Sequence, residues 1–315
     1  MWFILAIIAL VCWSGSDFFS KIGCMDKKDP NSHLKMVVAV GLIMGLHAAY
    51  EIFVSGVEIN FQIILTYLPV SLLYIISMVF GYVGLRYIEL SVSSPICNSS
   101  GALAAVLCII FLGQEIDSVA VGAIILIGLS VLGLGIVEML EDDEARALRQ
   151  EKAFMKYSKS VWALLLPVLY CIIDALGTFF DTLVLREEDT GTFFDKLFPT
   201  VLAEDSANVA YELTFLFLGV LAAIYVYGIK KEKIAFKKDG AKLVGGAFET
   251  AGQFAYIFAL SDTAHAAPAA AIISAYCALS AIWSSIFLKE RLSVKHYIAI
   301  ICALIGIIAL GFFDV

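Results

Sequence analysis

The chain has 315 residues, of which 61% are hydrophobic and only 16% charged. A soluble domain usually carries about a quarter charged residues, so these proportions exclude an ordinary globular protein and point to a lipid bilayer, which solvates neither charge nor bare backbone. The net charge of −8 excludes a basic nucleic-acid-binding protein, so no nucleic-acid partner is expected.

Ten apolar runs follow in chain order: 2–22, 34–54, 62–85, 91–113, 118–138, 160–183, 207–228, 241–261, 266–288 and 294–313. Each has about the 20 residues that a helix needs to cross a bilayer. The first has no basic leader and no A-x-A cleavage site, so it reads as a retained helix and not a signal peptide. The fourth and ninth are rich in Ser, Ala and Gly, which let helix backbones approach closely in a bundle. The seven cysteines form no CxxC pair and no Cys/His cluster, so they read as small apolar side chains; no metal and no cofactor is expected.

The charges lie between the runs. Lys and Arg gather in the loops after the odd-numbered runs, where 19 of the 21 lie; only Arg186 and Lys196 fall on the other side. By the positive-inside rule those loops are cytoplasmic and both termini external, in a multi-pass protein of the cell membrane. The acidic 186–206 loop is then outside. The charged segment 139–159 reads as a cytoplasmic linker, in the main a solvated connector.

The chain also resembles itself. LGQEIDSV around Glu115 matches LKERLSV around Glu290, and Leu85 matches Leu260 at the same 175-residue offset. Phe18-Phe19 matches Phe179-Phe180 at a slightly shorter one. This divides the chain into a five-helix repeat over 1–138, the linker 139–159, and a second five-helix repeat over 160–315. Because five is odd, the second copy enters the membrane inverted, an architecture of alternating-access carriers with the site at the repeat interface. The fold expected is therefore an all-α integral membrane protein of ten transmembrane helices around a central cavity.

WSGSDFFSK in the first run resembles the W-G-x-x-x-x-x-x-K pattern of EamA-type proteins of the drug/metabolite transporter superfamily, and the LGQEI and LKERLS turns resemble that family's L-G-E-R-L-S turn. The resemblance implies an inverted-repeat transporter of small metabolites or drugs, often an exporter. The first turn departs from the pattern in lacking Arg, and many family members have cytoplasmic termini, against the charge count here.

Ionisable residues within membrane spans are costly and point to function. Asp174 shares a helical face with Tyr170, Gly177 and Asp181. Glu249 shares one with Gln253 and Tyr256. Asp17 shares one with Trp13 and Ser20, and has Lys21 one turn on as an alternative ion-pair partner. His47 and Glu51 lie one turn apart, His47 having interhelical hydrogen bonding as its plainer role. Glu51, Asp181 and Glu212 lie near the outer interface and are expected to reach water. Asn98 punctuates the fourth run. Asp174 and Glu249 have no basic residue within a turn, and are the foremost candidates for a proton-linked site that takes a cationic or zwitterionic small-molecule substrate. A neutral or anionic substrate, such as a sugar or nucleotide conjugate, would want a cavity base, for which only Lys21 and Arg86 offer themselves. An enzyme is not expected: Walker A, HExxH and GxSxG motifs are all missing. A receptor is the remaining rival.

Overall fold

The computed structural model describes residues 2–26, 28–112, 118–186, 193–233, 236–260, 272–273 and 275–312. All regular structure among them is helical. In chain order the helices are α1 (Trp2–Cys24), α2 (Ser32–Ser55), α3 (Phe61–Gly84), α4 (Leu90–Cys97), α5 (Ser100–Leu112), α6 (Ser118–Leu140), α7 (Asp143–Arg149), α8 (Val161–Leu185), α9 (Phe194–Leu197), α10 (Glu204–Ile229), α11 (Phe236–Leu260), α12 (Tyr276–Leu288) and α13 (Val294–Phe312). Among the described residues, seven spans are long and apolar enough to cross a membrane: α1, α2, α3, α4 with α5, α6, α8 and α10. α11 carries Lys237, Lys238, Asp239 and Lys242 in its first turns, which lowers its overall hydropathy. The fourth predicted run breaks at Asn98–Ser99 into α4 and α5; the start of the ninth, 266–271, lies outside the described residues, as do Glu115 and Glu188.

Local sequence explains where several helices begin. Asn60 accepts from the Ile63 N–H at 2.9 Å and starts α3; Ser160 accepts from Ala163 and starts α8; Asp142 accepts from Ala145 and starts α7. Three helix ends share one closure. α2, α10 and α12 finish in π-helical turns followed by a left-handed residue: Gly56 (φ 77°), Lys231 (φ 55°) and Lys289 (φ 56°). The next N–H then reaches back six residues, Val57 to Glu51, Glu232 to Val226 and Glu290 to Ser284.

Apolar stripes face outward. On α6, Val121, Ile125, Leu129, Leu132 and Ile136 are exposed at spacings of one helical turn. Such surface is sustained in lipid and not in water. Inside, α2 and α10 cross at Gly41 and Gly219, where a Cβ on Gly41 would lie 2.7 Å from the Phe215 carbonyl oxygen. α1 packs on α11, α3 on α8, α2 on α10, α6 on α13 and α4 on α12.

The loops after α1, α3, α6, α10 and α12 are stitched together at one end of the bundle, here the basic end. Arg86 donates to the Asp29 and Pro30 carbonyls, Asn31 to Glu232, and Arg149 to Glu89 and to the Arg291 carbonyl. The opposite, acidic end joins Ser206 to the Glu58 carbonyl and Leu202 to that of Val184.

The 139–159 segment is a correction to the sequence reading. It is no free connector: Arg146, Gln150 and Tyr157 are buried. Arg146 pairs with Glu138 at 2.5 Å, Gln150 donates to Glu89, and Tyr157 lies under the Lys21 ammonium at 4.5 Å. The cause is charge matching that sequence distance hides, since acids of α6 and the α3–α4 turn meet the linker's arginines. The sequence GTFFD occurs twice, at 177–181 and 191–195, and Phe194 of the second copy packs edge-on against Phe179 of the first, ring centroids 5.4 Å apart.

Candidate functional site

A cavity of about 670 Å³ lies between the helices. Its lining runs from Leu85 and Leu90 near the basic end to Leu185 and Glu204 at the acidic end. Trp13, Asp17, Asn98, Tyr170, Asp174, Glu249, Gln253 and Tyr256 all line it, so the three polar helix faces marked in the sequence converge there. His47 does not. It sits on the far side of α2, where it meets Glu212 and Glu51, because α2 turns that face toward α10.

Four of the cavity acids, Asp174, Glu249, Asp17 and Asp181, are held by neutral hydroxyls. Asp174 accepts from Ser77 at 3.1 Å and Ser100 at 2.7 Å, joining α8 to α3 and α5. Glu249 accepts from Ser16 at 2.7 Å, joining α11 to α1. Asp17 accepts from Ser94 and from Ser280 at 2.8 Å, joining α1 to α4 and α12. Asp181 accepts from Tyr67 at 2.6 Å and Tyr74 at 3.4 Å. A hydroxyl donates to a carboxylate and accepts from a carboxylic acid, so these sites stay hydrogen-bonded in either protonation state.

Two expectations about these acids are corrected. Asp181 and Glu212 do not merely reach water: Asp181 is a cavity group and Glu212 is fully buried, because α8 and α10 pack their acidic faces inward. Lys21 is also not the neutralising partner of Asp17 that helix spacing allows. Its ammonium donates to the Leu85 and Ile88 carbonyls, 2.6 Å each, and lies 4.0 Å from Glu290.

Aromatic rings complete the wall. Tyr67, Tyr74, Tyr82, Tyr211 and Tyr276 join Trp13, Tyr170 and Tyr256. The first five were missed in the sequence, although Tyr67, Tyr74 and Tyr82 recur on one face of α3 at seven and eight residues. Trp13 packs tilted against Tyr256 at 5.0 Å and meets Tyr276 edge-on at 5.7 Å. Among the described lining residues there is no Lys, Arg or His. Tyr82 Oη is buried there with no hydrogen-bond partner among the described residues.

Below the cavity the basic end is closed by ionic contacts. Glu138 and Glu141 meet Arg146 and Arg149, His296 donates or accepts at Glu138 at 2.9 Å, and Arg149 bridges to Glu89 at 2.9 Å. Glu138, Glu141 and His296 have the residue types of a metal site. Two guanidinium groups already occupy the carboxylates, so the arrangement is that of an ion-pair lattice. Burial pushes the Glu89 carboxyl above its usual range even beside Arg149.

A helical membrane protein with a polar chamber between its helices is the architecture of small-molecule transporters. The EamA-like transporter family model matches residues 1–136 and 190–312. The chain belongs to that family, and so to the membrane transporters of small molecules. No curated protein matches it closely.

Proposed function

We propose that the protein is a proton-linked secondary transporter of organic cations or zwitterions that works by alternating access. The observation that carries this reading is the cavity's charge: five carboxylates (Asp17, Asp174, Asp181, Glu204 and Glu249), aromatic walls, and no base among the described lining residues. A carboxylate in such a chamber attracts a cation, and nearby ring faces add cation–π attraction. Proton release from Asp174 or Glu249 as the cation binds, and uptake as it leaves, exchanges one for the other. Anionic substrates are disfavoured by the same charge, and Lys21 and Arg86 are engaged with backbone carbonyls at the basic end.

The mechanism requires two halves that rock about the site. The packing supports ten membrane helices in two inverted repeats, 1–138 and 160–315, joined by 139–159. α1 on α11 has its counterpart in α8 on α3, and α2 on α11 in α10 on α3. α2 with α10, and α6 with α13, are pairs that the exchange of halves maps onto themselves. The cavity's reach to Glu204 and the ionic lattice below it fit a state open at the acidic end, which the charge asymmetry assigns to the outside of the cell membrane.

The test is thermal stabilisation of the purified protein by a panel of organic cations, sugars and anionic conjugates, since a ligand of the native state raises its stability. Stabilisation by cations, lost in Asp174→Asn or Glu249→Gln, is expected. Stabilisation by anionic conjugates alone would overturn the reading.

A further inference from the structure

His47, Glu51 and Glu212 form a second cluster of titratable groups, outside the cavity. His47 Nδ1 lies 2.8 and 3.0 Å from the two carboxylate oxygens of Glu212, and Nε2 lies 3.6 Å from Glu51. Glu212 is wholly buried; the side chains of His47 and Glu51 are 19% and 15% exposed. α11 faces the imidazole with the Phe254 ring, centroids 5.3 Å apart, and with Thr250 nearby. Among the described residues no other charged side chain pairs with these three. A neutral imidazole has one N–H, so it cannot donate to both acids; an imidazolium can. With both contacts made the cluster therefore holds two protons, and a third, arriving on a carboxyl oxygen that faces away from the ring, leaves both in place. Glu51 opens the π-helical turn that ends α2 at Gly56, beside the acidic-end loop.

The cluster is wired to the cavity through two amides. Asn208 stands one turn before Glu212 on the same helix, α10. Asn208 Oδ1 in turn accepts from Gln253 Nε2 at 3.3 Å. Asn208 and Gln253 both line the cavity, and Gln253 lies one turn from Glu249.

We propose that His47, Glu51 and Glu212 are a proton-binding site lateral to the cavity, and that Asn208 and Gln253 report its loading to the substrate. The proposal rests on the cation reading for its second half only. With Glu212 ionised, Asn208 spends its N–H on Glu212 and its carbonyl on Gln253 Nε2, which leaves Gln253 Oε1 as an acceptor for a cation. A proton arriving from acidic-end water makes Glu212 a donor. Asn208 then turns its carbonyl to Glu212 and its N–H to Gln253 Oε1, and Gln253 presents its N–H groups to the cavity. A cation binds the first arrangement and is repelled by the second. Proton and cation thus exclude each other without meeting, and the coupling is reciprocal.

The experiment uses the full chain with ¹⁵N-labelled histidine; only four histidines are present, and His47→Gln identifies the resonance. His47 is titrated between about pH 5 and 9 in wild type and Glu212→Gln, then with tetraphenylphosphonium as the cation. The expected result is a titration displaced by Glu212→Gln, and a displacement by the cation that Asn208→Leu abolishes. A one-proton exchange also weakens cation binding by up to about tenfold per unit of falling pH. Identical titrations in wild type and Glu212→Gln would overturn the proton site. A bound cation that leaves His47 unmoved would overturn the relay. Failure of the cation to bind at any pH overturns the cavity reading instead, and leaves the proton site to be decided by the Glu212→Gln titration.

Discussion

The Glu290 carboxylate, on the turn after α12, caps the amino end of α4 at Ser91, accepting from its backbone N–H at 3.3 Å and its hydroxyl at 3.0 Å. Its other oxygen accepts from the Leu90 N–H at 3.3 Å. The left-handed Lys289 turns the chain so that Glu290 aims there. An acid at a helix amino end satisfies otherwise open N–H groups and meets the positive end of the helix dipole.

Glu290→Ala is therefore expected to cost about 1–2 kcal/mol, the usual scale for losing such a cap. Glu290→Gln, which keeps an acceptor but not the charge, should fall between it and the wild type. Denaturation midpoints of the two variants measure this. Equal stability of Ala and wild type would mean that the cap does not hold the basic end together.

Burial raises the Glu89 carboxyl above its ordinary range, and its Oε2 has no hydrogen-bond partner among the described residues. A group raised on folding contributes stability below its unfolded pKa and loses it as pH rises through the folded value. Glu89→Gln, which resembles the protonated acid, should therefore gain relative to wild type as pH rises from about 4 toward neutrality. Arg149→Ala, which leaves Glu89 buried without its cation, should be destabilised by about 3–5 kcal/mol and more so at higher pH. Melting curves across that range test both; a Glu89→Gln difference that is constant with pH would contradict the argument.

The charge asymmetry predicts that Glu58 is external and Lys233 cytoplasmic. Both are exposed. A single cysteine at each, in a background cleared of native cysteines, is to be labelled in intact cells with an impermeant thiol reagent. Reaction at Glu58→Cys and protection at Lys233→Cys until lysis is the expected result; the converse pattern reverses the orientation and places the cavity mouth inside.

Some of this was legible before any coordinates. Apolar runs marked the seven long spans found among the described residues, because lipid forces the backbone to bond within each segment. Faces on single helices were also readable: Asp174 with Tyr170, and Glu249 with Gln253 and Tyr256, do share the cavity. What failed were interhelical partners. Helix spacing pairs Lys21 with Asp17, yet Lys21 goes to the carbonyls of Leu85 and Ile88, some 64 residues away in sequence. His47 takes its plainer role, an interhelical hydrogen bond, but its partner Glu212 lies 165 residues away in sequence and was not readable. The linker's buried arginines find acids on α6 and beside α4, which no local pattern announces.

The most direct test of the central claim is uptake of tetraphenylphosphonium into liposomes bearing the purified protein, with and without a pH gradient. Wild type should take the cation into acid-loaded liposomes in exchange for protons, so that the lumen grows more alkaline as the cation enters. Asp174→Asn and Glu249→Gln, confirmed folded by their melting curves, should each lose the response to the gradient, since an amide cannot titrate. Wild-type uptake and wild-type pH dependence in both variants would contradict the account, and return the two acids to the role of interhelical hydrogen bonders.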